Sequence, residues 1–362
     1  MVISWFFIRV DSRSFAAGCL VFALLCRFSD FFPNAKLVIV FAALTVIGVL
    51  AALAAVQWLL TGHDRRRFPP PGTVVNGLHV MNLGVGQPAV VFESGLANSS
   101  LSWSLIQPQI AKSTATYSYD RAGIGWSAVP GGLCSLQEVT ANLHKMLDTL
   151  QVPRPFILVG HSFGGLIARF YAHHFPGELA GLVLVDPATP EEWMNPDPKQ
   201  RWRLRRAVFF ARAAGVLAFF GMVRLGLWLL LLRKKDSPGP ISRFSTTLQR
   251  IRFEVRKIPR EVLPLVRAHW SRPRFYWAMA AYIQALPACA LAASACLLPK
   301  QLPITVLSGS HQPSERLAEH QALATRHVMA TASAHFIHLD QPELVVQAIH
   351  EMLQRSSSAR ST

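Results

Sequence analysis

Cysteine is scarce in this sequence, with five among 362 residues. An odd number is consistent with free thiols, although it does not fix the redox compartment. The cysteines and histidines show none of the paired short spacings that metal sites use. The sequence therefore predicts no metal site, and nothing in it implies a cofactor. The five cysteines are Cys19, Cys26, Cys134, Cys289 and Cys296.

Acidic residues are also few: 20 Asp and Glu stand against 36 Lys and Arg, which gives a formal net charge of +16. A charge of this size predicts contact with an anionic partner, either lipid headgroups or nucleic acid. No motif that interleaves basic with aromatic residues is visible, and the basic residues cluster around apolar runs. We therefore expect a membrane with anionic lipids as a partner, and no nucleic acid.

Residues 37–60 form an uncharged, almost wholly apolar run in which Gln57 is the only strongly polar residue. At about 1.5 Å per residue, a helix of this length spans the hydrocarbon core of a bilayer. The sequence predicts one membrane-spanning helix that acts as a signal anchor, after an N-terminal extension over residues 1–36. Residues 61–72 predict a short linker, which ends in a stiff proline-rich stretch.

The charges beside this run indicate its orientation. Three arginines, Arg65, Arg66 and Arg67, follow the run, whereas Arg27 and Lys36 precede it. The more basic side of a membrane helix usually faces the cytoplasm. The balance favours a single-pass membrane protein whose following domain is cytoplasmic.

Six short apolar, β-branched segments alternate with helical stretches over the rest of the chain. This alternation predicts a mostly parallel sheet covered on both faces. Residues 73–83 contain Asn76-Gly77, the strongest short hairpin signal, so the sheet is expected to open with an antiparallel pair. We therefore predict an α/β fold with a sheet of about eight strands. The six segments are residues 88–94, 115–119, 156–160, 181–186, 302–308 and 327–331.

The segment FILVGHSFGG carries the chemistry-bearing motif. Its strand-like half leads into Gly160-His161-Ser162-Phe163-Gly164, the G-x-S-x-G pattern of a nucleophile elbow, and residues 165–174 can form the helix that must follow. The two glycines leave room for neighbouring backbone to approach. The pattern predicts that Ser162 is an activated nucleophile.

Four motifs in order make the sequence resemble the α/β-hydrolase superfamily, in the branch that carries a helical cap. The likeness covers about residues 72–355. It implies a hydrolase core in two parts, residues 73–186 and 301–355, separated by a helical cap over residues 187–300. Residues 356–362 are expected to form a disordered tail. Besides the elbow, the motifs are VFESGL at residues 91–96, YDRAGIGWS at 119–127 and HFIHLDQP at 335–342.

A serine nucleophile needs an imidazole as base and usually an acid to hold that imidazole. The resemblance implies His335 as the base, with His338 as the alternative. The family most often places the acid four residues beyond the strand at residues 302–308, where this chain has Gln312.

Three acidic residues are candidates for the missing acid. Some cap-bearing relatives take the acid from the end of the strand that follows the elbow helix, and Asp186 stands at that place. Asp186 is therefore the first choice, although an Asp-Pro pair at a strand end can simply shape a turn. Glu315 is the second choice and Glu319 the third.

The resemblance also implies an oxyanion hole made by the backbone N–H groups of Phe163 and Leu96. The motif residues Asp120, Arg121 and Ser127 are expected to be structural. Haloalkane dehalogenases and epoxide hydrolases of this fold attack with aspartate, whereas this elbow carries a serine. Acyl esters, thioesters or amides are therefore the expected electrophiles.

The cap contains a second apolar stretch, residues 207–232, which is interrupted by Arg212 and Arg224 and flanked by further basic residues. A membrane span there would place the two halves of the sheet on opposite sides of the bilayer, where they could not pair. We expect cap helices instead, apolar toward the active site or lying in the lipid interface.

These expectations describe a membrane-anchored serine hydrolase that cleaves a hydrophobic carboxylic ester through an acyl-enzyme intermediate, with lipid-derived esters among the candidates. Two alternatives stay open. One is an acyltransferase with the same triad, and the other is a catalytically silent binding protein of this fold, which the glutamine at position 312 supports.

Overall fold

A computed structural model describes residues 35–129, 134–232, 257–310 and 312–361. The chain divides into two compact units, Met1–Trp58 and Leu59–Thr362. The expected N-terminal extension lies almost entirely outside the described residues, as do the basic residues 233–235 after the second apolar stretch.

Helix α1, Ala35–Arg67, contains the predicted membrane span, and its stretch Lys36–Arg67 is long and apolar enough to cross a membrane. The helix continues through residues 61–67, so the expected linker shrinks to residues 68–72. Basic side chains in the last turn favour this extension, because they lie at the negative end of the helix dipole. The prolines at 69–71 cannot continue the helix.

Eight strands form one sheet, as predicted, in the order β1-β2-β4-β3-β5-β6-β7-β8. Only the β1–β2 and β2–β4 pairs are antiparallel. Asn76 and Gly77, with φ of 50° and 79°, form the turn between the first two strands, which is the backbone that a type I′ hairpin requires. The strands are β1 Thr73–Val75, β2 Leu78–Leu83, β3 Val90–Glu93, β4 Thr116–Tyr119, β5 Phe156–His161, β6 Leu179–Val185, β7 Ile304–Gly309 and β8 Arg326–Ala330.

Helices cover both faces of the sheet, because alternate strand residues are apolar on each side. Phe156 and Leu158 pack into a core on one face, whereas Ile157 and Val159 pack into a core on the other. The further helices are α2 Gln107–Ile110, α3 Leu136–Thr149, α4 Phe163–His174, α5 Pro190–Met194, α6 Pro198–Phe219, α7 Met222–Leu232, α8 Leu263–Trp270, α9 Pro273–Ser294, α10 Ser314–Leu323, α11 Ile337–Asp340 and α12 Pro342–Ser361.

The insertion between β6 and β7 is helical in its described part, where it contains α5 to α9. Helices α6 and α7 are bent by 96° at their junction, where Gly221 has a φ of 76°. Helix α9 is also long and apolar enough to cross a membrane, as is the bent pair taken together. However, α9 packs against the elbow helix α4 through Phe275, Tyr282 and Leu286, which share a core with Phe163 and Ile167.

The chain end differs from the expected disordered tail, because α12 continues to Ser361. Ser356 and Ser357 donate their hydroxyl hydrogen bonds to the carbonyls of Met352 and Leu353, at 2.8 and 3.0 Å. This bonding to the carbonyl four residues earlier satisfies polar side chains within the helix.

Candidate active site

Ser162 stands at a sharp turn between β5 and α4, with φ of 52° and ψ of −118°. Such a backbone is strained for a residue with a side chain, and this strain is typical of a nucleophile elbow. The flanking glycines are required by space. A Cβ on Gly160 would lie 2.7 Å from the carbonyl oxygen of Gly164, and one on Gly164 would lie 2.6 Å from that of Glu93.

Asp186 lies beside the elbow because β6 pairs with β5 in parallel, with Val185 opposite His161. Ser162 and Asp186 are thus the next residues on neighbouring strands. The Asp186 side chain is fully buried, and its Oδ2 lies 2.5 Å from His335 Nδ1. The first-choice acid and the first-choice base are therefore in direct contact.

His335 lies in the loop between β8 and α11, and its side chain is 37% exposed. Its Nδ1 donates to the buried carboxylate of Asp186, so the tautomer with the free lone pair on Nε2 is favoured. Its backbone carbonyl accepts a hydrogen bond from His161 Nε2 at 3.1 Å. The carboxylate thus orients an imidazole whose other nitrogen can accept a proton.

Gln312, which stands where the family usually has its acid, contacts the acid instead. Its Nε2 donates to both carboxylate oxygens of Asp186, at 2.7 and 2.9 Å. The Gly309 N–H donates to Oδ1 at 3.1 Å, and Arg316 lies 3.5 Å from Oδ2. Sequence reasoning missed this role of Gln312, although an amide at the usual acid position was the available signal.

The alternative candidates lie elsewhere. Glu315 is exposed, and no hydrogen bond joins it to His335 in the described part of the chain. Glu319 interacts with Glu191, and burial followed by that interaction raises its pKa to about 7. His338 is fully buried, and burial lowers its pKa to about 3. Neither ring nitrogen of His338 has a hydrogen-bond partner among the described residues.

The two candidate oxyanion donors, Leu96 and Phe163, follow the ends of the neighbouring strands β3 and β5. Glu93, the last residue of β3, pairs with Gly160 of β5, which places the loop containing Leu96 beside Phe163. The backbone N–H groups of Leu96 and Phe163 donate to no acceptor within the described residues. Arg121 fixes the same loop, because it donates to Glu93 and to the carbonyls of residues 94 and 95.

Asp120 and Ser127 hold loops together. The Asp120 carboxylate accepts hydrogen bonds from the N–H groups of Ser100 and Trp126 and from His79 Nδ1, at 2.7 to 3.0 Å. Burial acts to raise the pKa of Asp120, but the hydrogen bonds from His79 and Trp126 and the charges nearby together outweigh it, so the pKa is lowered. Ser127 donates to the Asp120 carbonyl at 2.5 Å.

An apolar cavity of about 120 Å³ opens beside these loops. It is lined by Ala97, directly after the candidate oxyanion donor Leu96, and by Phe336, directly after the candidate base His335. Cap residues close its other side, among them Val266 and Phe275. A second cavity, of about 580 Å³, lies between α6 and α9 and is lined partly by arginines of α6.

The chain is similar in sequence to known proteins. The model of the alpha/beta hydrolase fold family matches residues 88–340. The chain is 23% identical over 278 residues to 3-oxoadipate enol-lactonase 2 of Acinetobacter baylyi, which covers 74% of the chain and 90% of that protein. It is 31% identical over 117 residues to the 2-hydroxy-6-oxo-2,4-heptadienoate hydrolase of Pseudomonas putida, with 32% and 41% covered.

Some similarities are more local. The match to the uncharacterized protein YqjL of Bacillus subtilis is 32% identical over 99 residues and spans 27% of the chain but only 39% of the length of YqjL. Among solved structures, an epoxide hydrolase of Vigna radiata superposes with a TM-score of 0.59 at 15% identity, covering 78% of this chain and 97% of that one. At this identity the similarity shows the fold alone.

Proposed function

This chain belongs to the alpha/beta hydrolase fold family, and from that premise we propose that it is a membrane-anchored serine hydrolase of hydrophobic carboxylic esters. The observation that carries the proposal is the 2.5 Å contact between His335 Nδ1 and the buried Asp186 carboxylate, next to the elbow serine. A fold of this family needs that pair to activate Ser162.

The reaction proceeds in two halves. Ser162 Oγ attacks the ester carbonyl while His335 Nε2 takes its proton, and the Phe163 and Leu96 N–H groups stabilise the oxyanion. His335 then gives the proton to the leaving alcohol. In the second half, His335 takes a proton from water, whose oxygen attacks the acyl carbon. The bond to Ser162 Oγ then breaks, His335 returns the proton to that oxygen, and the acid is released.

The buried environment of Asp186 supports its role as the orienting acid. Three donors besides His335 face its carboxylate, from Gln312, Gly309 and Arg316. These donors fix the position of the carboxylate beside His335, where it can stabilise the imidazolium that forms. Gln312 donates to the carboxylate of Asp186. A glutamine at position 312 therefore no longer favours the alternative of a catalytically silent binding protein.

The apolar cavity beside the catalytic loops supports a hydrophobic acyl or alcohol group in the substrate, since it is lined mainly by apolar side chains. The apolar length of α1 supports a single-pass anchor, and its terminal arginines favour a cytoplasmic catalytic domain. The excess basic charge of the chain supports contact with anionic lipids.

The test is hydrolysis of p-nitrophenyl esters of increasing acyl length by membranes that contain the full chain. We expect turnover that rises from the acetate to longer chains, is abolished in Ser162→Ala and is retained in Ser294→Ala, a surface serine. Adding an alcohol acceptor separates a hydrolase, which releases the acid, from an acyltransferase, which forms a new ester. Equal turnover by Ser162→Ala would refute the proposal.

A further inference from the structure

A cluster of three metal-ligating side chains lies away from the candidate active site. His173 and His174 end the elbow helix α4, and Cys296 follows α9 two residues after that helix ends. One ligand atom from each lies within 4.8 Å of the other two. The chain spacing gave no sign of this cluster, because its cysteine and its histidines are far apart in sequence.

Both imidazoles are held in the tautomer that a metal needs. His173 Nδ1 lies 3.0 Å from the Leu297 carbonyl oxygen, and His174 Nδ1 lies 2.9 Å from that of Phe170. Each Nδ1 therefore carries the hydrogen and donates it, which leaves the lone pair on Nε2. Metal-ligating histidines usually have such a partner on the other ring nitrogen, because it fixes the ring and raises its basicity.

The local charges are suited to a cation bound through a thiolate. The last carbonyls of α4 give its C-terminal end a partial negative charge, which favours a bound cation. Burial raises the pKa of the Cys296 thiol, and the positive charge of Arg169 opposes that rise. The Cys296 side chain is buried, whereas both histidines are exposed, so an ion can enter from solvent.

We propose that His173, His174 and Cys296 bind one divalent cation of the zinc type. Imidazole and thiolate are the usual protein ligands of zinc. A site with two imidazoles and one thiolate leaves the fourth position to water or another small ligand. Bond lengths of about 2.0–2.3 Å put tetrahedral ligands about 3.5 Å apart. The three ligand atoms, which lie within 4.8 Å of one another, therefore need to approach only slightly on binding. Binding releases the thiol proton of Cys296.

The bound ion joins the end of the elbow helix to the chain segment that leaves the cap. Helix α4 begins directly after the candidate nucleophile, and α9 packs along it. The ion would therefore hold the last cap helix on the elbow helix, independently of the esterase reaction.

The test is titration of the metal-free full chain, purified in detergent without a polyhistidine tag, with Co²⁺ as a spectroscopic substitute for zinc. We expect one Co²⁺ per chain, with a thiolate-to-cobalt charge-transfer band and the strong visible bands of tetrahedral cobalt. Zn²⁺ should displace the cobalt and raise the melting temperature.

Two variants and a matched control make the result specific. Cys296→Ser should lose the charge-transfer band and bind at least about 100-fold more weakly. Cys289→Ser changes a buried thiol within α9, whose S–H faces the Cys134 carbonyl, and should bind as wild type does. His173→Gln/His174→Gln alters only exposed side chains, so it should fold normally yet lose the tetrahedral bands. Absence of the bands in wild type, or their persistence in either variant, would overturn the proposal.

Discussion

Two clusters of polar and charged side chains flank the elbow, and they differ in how far they are exposed to solvent. The site cluster contains Asp186, His335, Gln312 and Arg316, and the loop cluster contains Glu93, Tyr119, Asp120, Arg121 and His79. Every member of the loop cluster is at most 2% exposed. The site cluster has a fully buried carboxylate, but its imidazole is 37% exposed.

This difference is what the proposed roles require, structural for the loop cluster and catalytic for the site cluster. In the loop cluster the charges are matched internally: Arg121 pairs with Glu93, and the Asp120 carboxylate accepts from three donors. Burial raises the pKa of Glu93, and Arg121 opposes that rise. In the site cluster, the buried Asp186 carboxylate orients His335 through Nδ1 and leaves Nε2 free for a substrate.

The largest expected effect comes from breaking the site cluster. Asp186→Asn should lower kcat by about 10⁴-fold, because an amide favours the wrong tautomer of His335. Steady-state ester hydrolysis measures the loss. The matched change Asp120→Asn should instead lower the melting temperature by leaving buried donors unpaired, with kcat of the folded enzyme kept within about tenfold. Similar kcat losses in both variants would remove the distinction.

Removing a charge from the loop cluster should lower the free energy of unfolding. Arg121→Met leaves the buried Glu93 without its counter-charge, and removing one partner of a buried pair destabilises by about 3–5 kcal/mol. Denaturant unfolding in detergent measures this change. Glu93→Gln/Arg121→Met removes both charges and should recover part of the loss. A single variant as stable as wild type would contradict the assignment.

His338 comes shortly after His335 of the site cluster in the chain, yet it is as deeply buried as the loop cluster. Burial lowers its pKa to about 3 from the ordinary 6.5, so the unfolded chain binds more protons between those values. Stability should therefore fall as pH drops from 6.5. Wild type should lose about 2 kcal/mol more than His338→Gln between pH 6.5 and pH 5. Unfolding at both pH values checks this, and equal losses would exclude a buried neutral His338.

The smallest expected effect comes from exchanging the acid and the amide between positions 186 and 312. Asp186→Asn/Gln312→Asp puts a carboxylate where the family commonly has one and an amide where this chain has its acid. We expect about tenfold recovery of kcat over Asp186→Asn, within the coupling range of contacting residues. The control Asp186→Asn/Glu315→Asp should show none, since Glu315 is exposed. Equal recovery in both would contradict a local exchange of roles.

Short-range patterns account for what the sequence predicted well. The eight strands and the elbow depend on apolar runs, Asn76-Gly77 and the two elbow glycines, all of which act over a few residues. Helices α1 and α12 extend beyond the ends expected at the arginines and serines. Ser356 and Ser357 bond to carbonyls within α12, and the arginines lie at the negative end of the dipole of α1. The amide at position 312 was visible in the sequence, but its bonds to Asp186 were not, because they form only when distant segments meet. The cluster of His173, His174 and Cys296 likewise needs distant segments to meet.

Covalent labelling of the full chain in membranes with a fluorophosphonate probe, followed by mass spectrometry of the labelled peptide, tests directly whether Ser162 is an activated nucleophile. We expect one label, on Ser162, that is lost in Ser162→Ala and strongly reduced in His335→Ala but retained in Ser294→Ala. A folded wild-type chain that takes no label, or takes it on another serine, would contradict an activated nucleophile at the elbow.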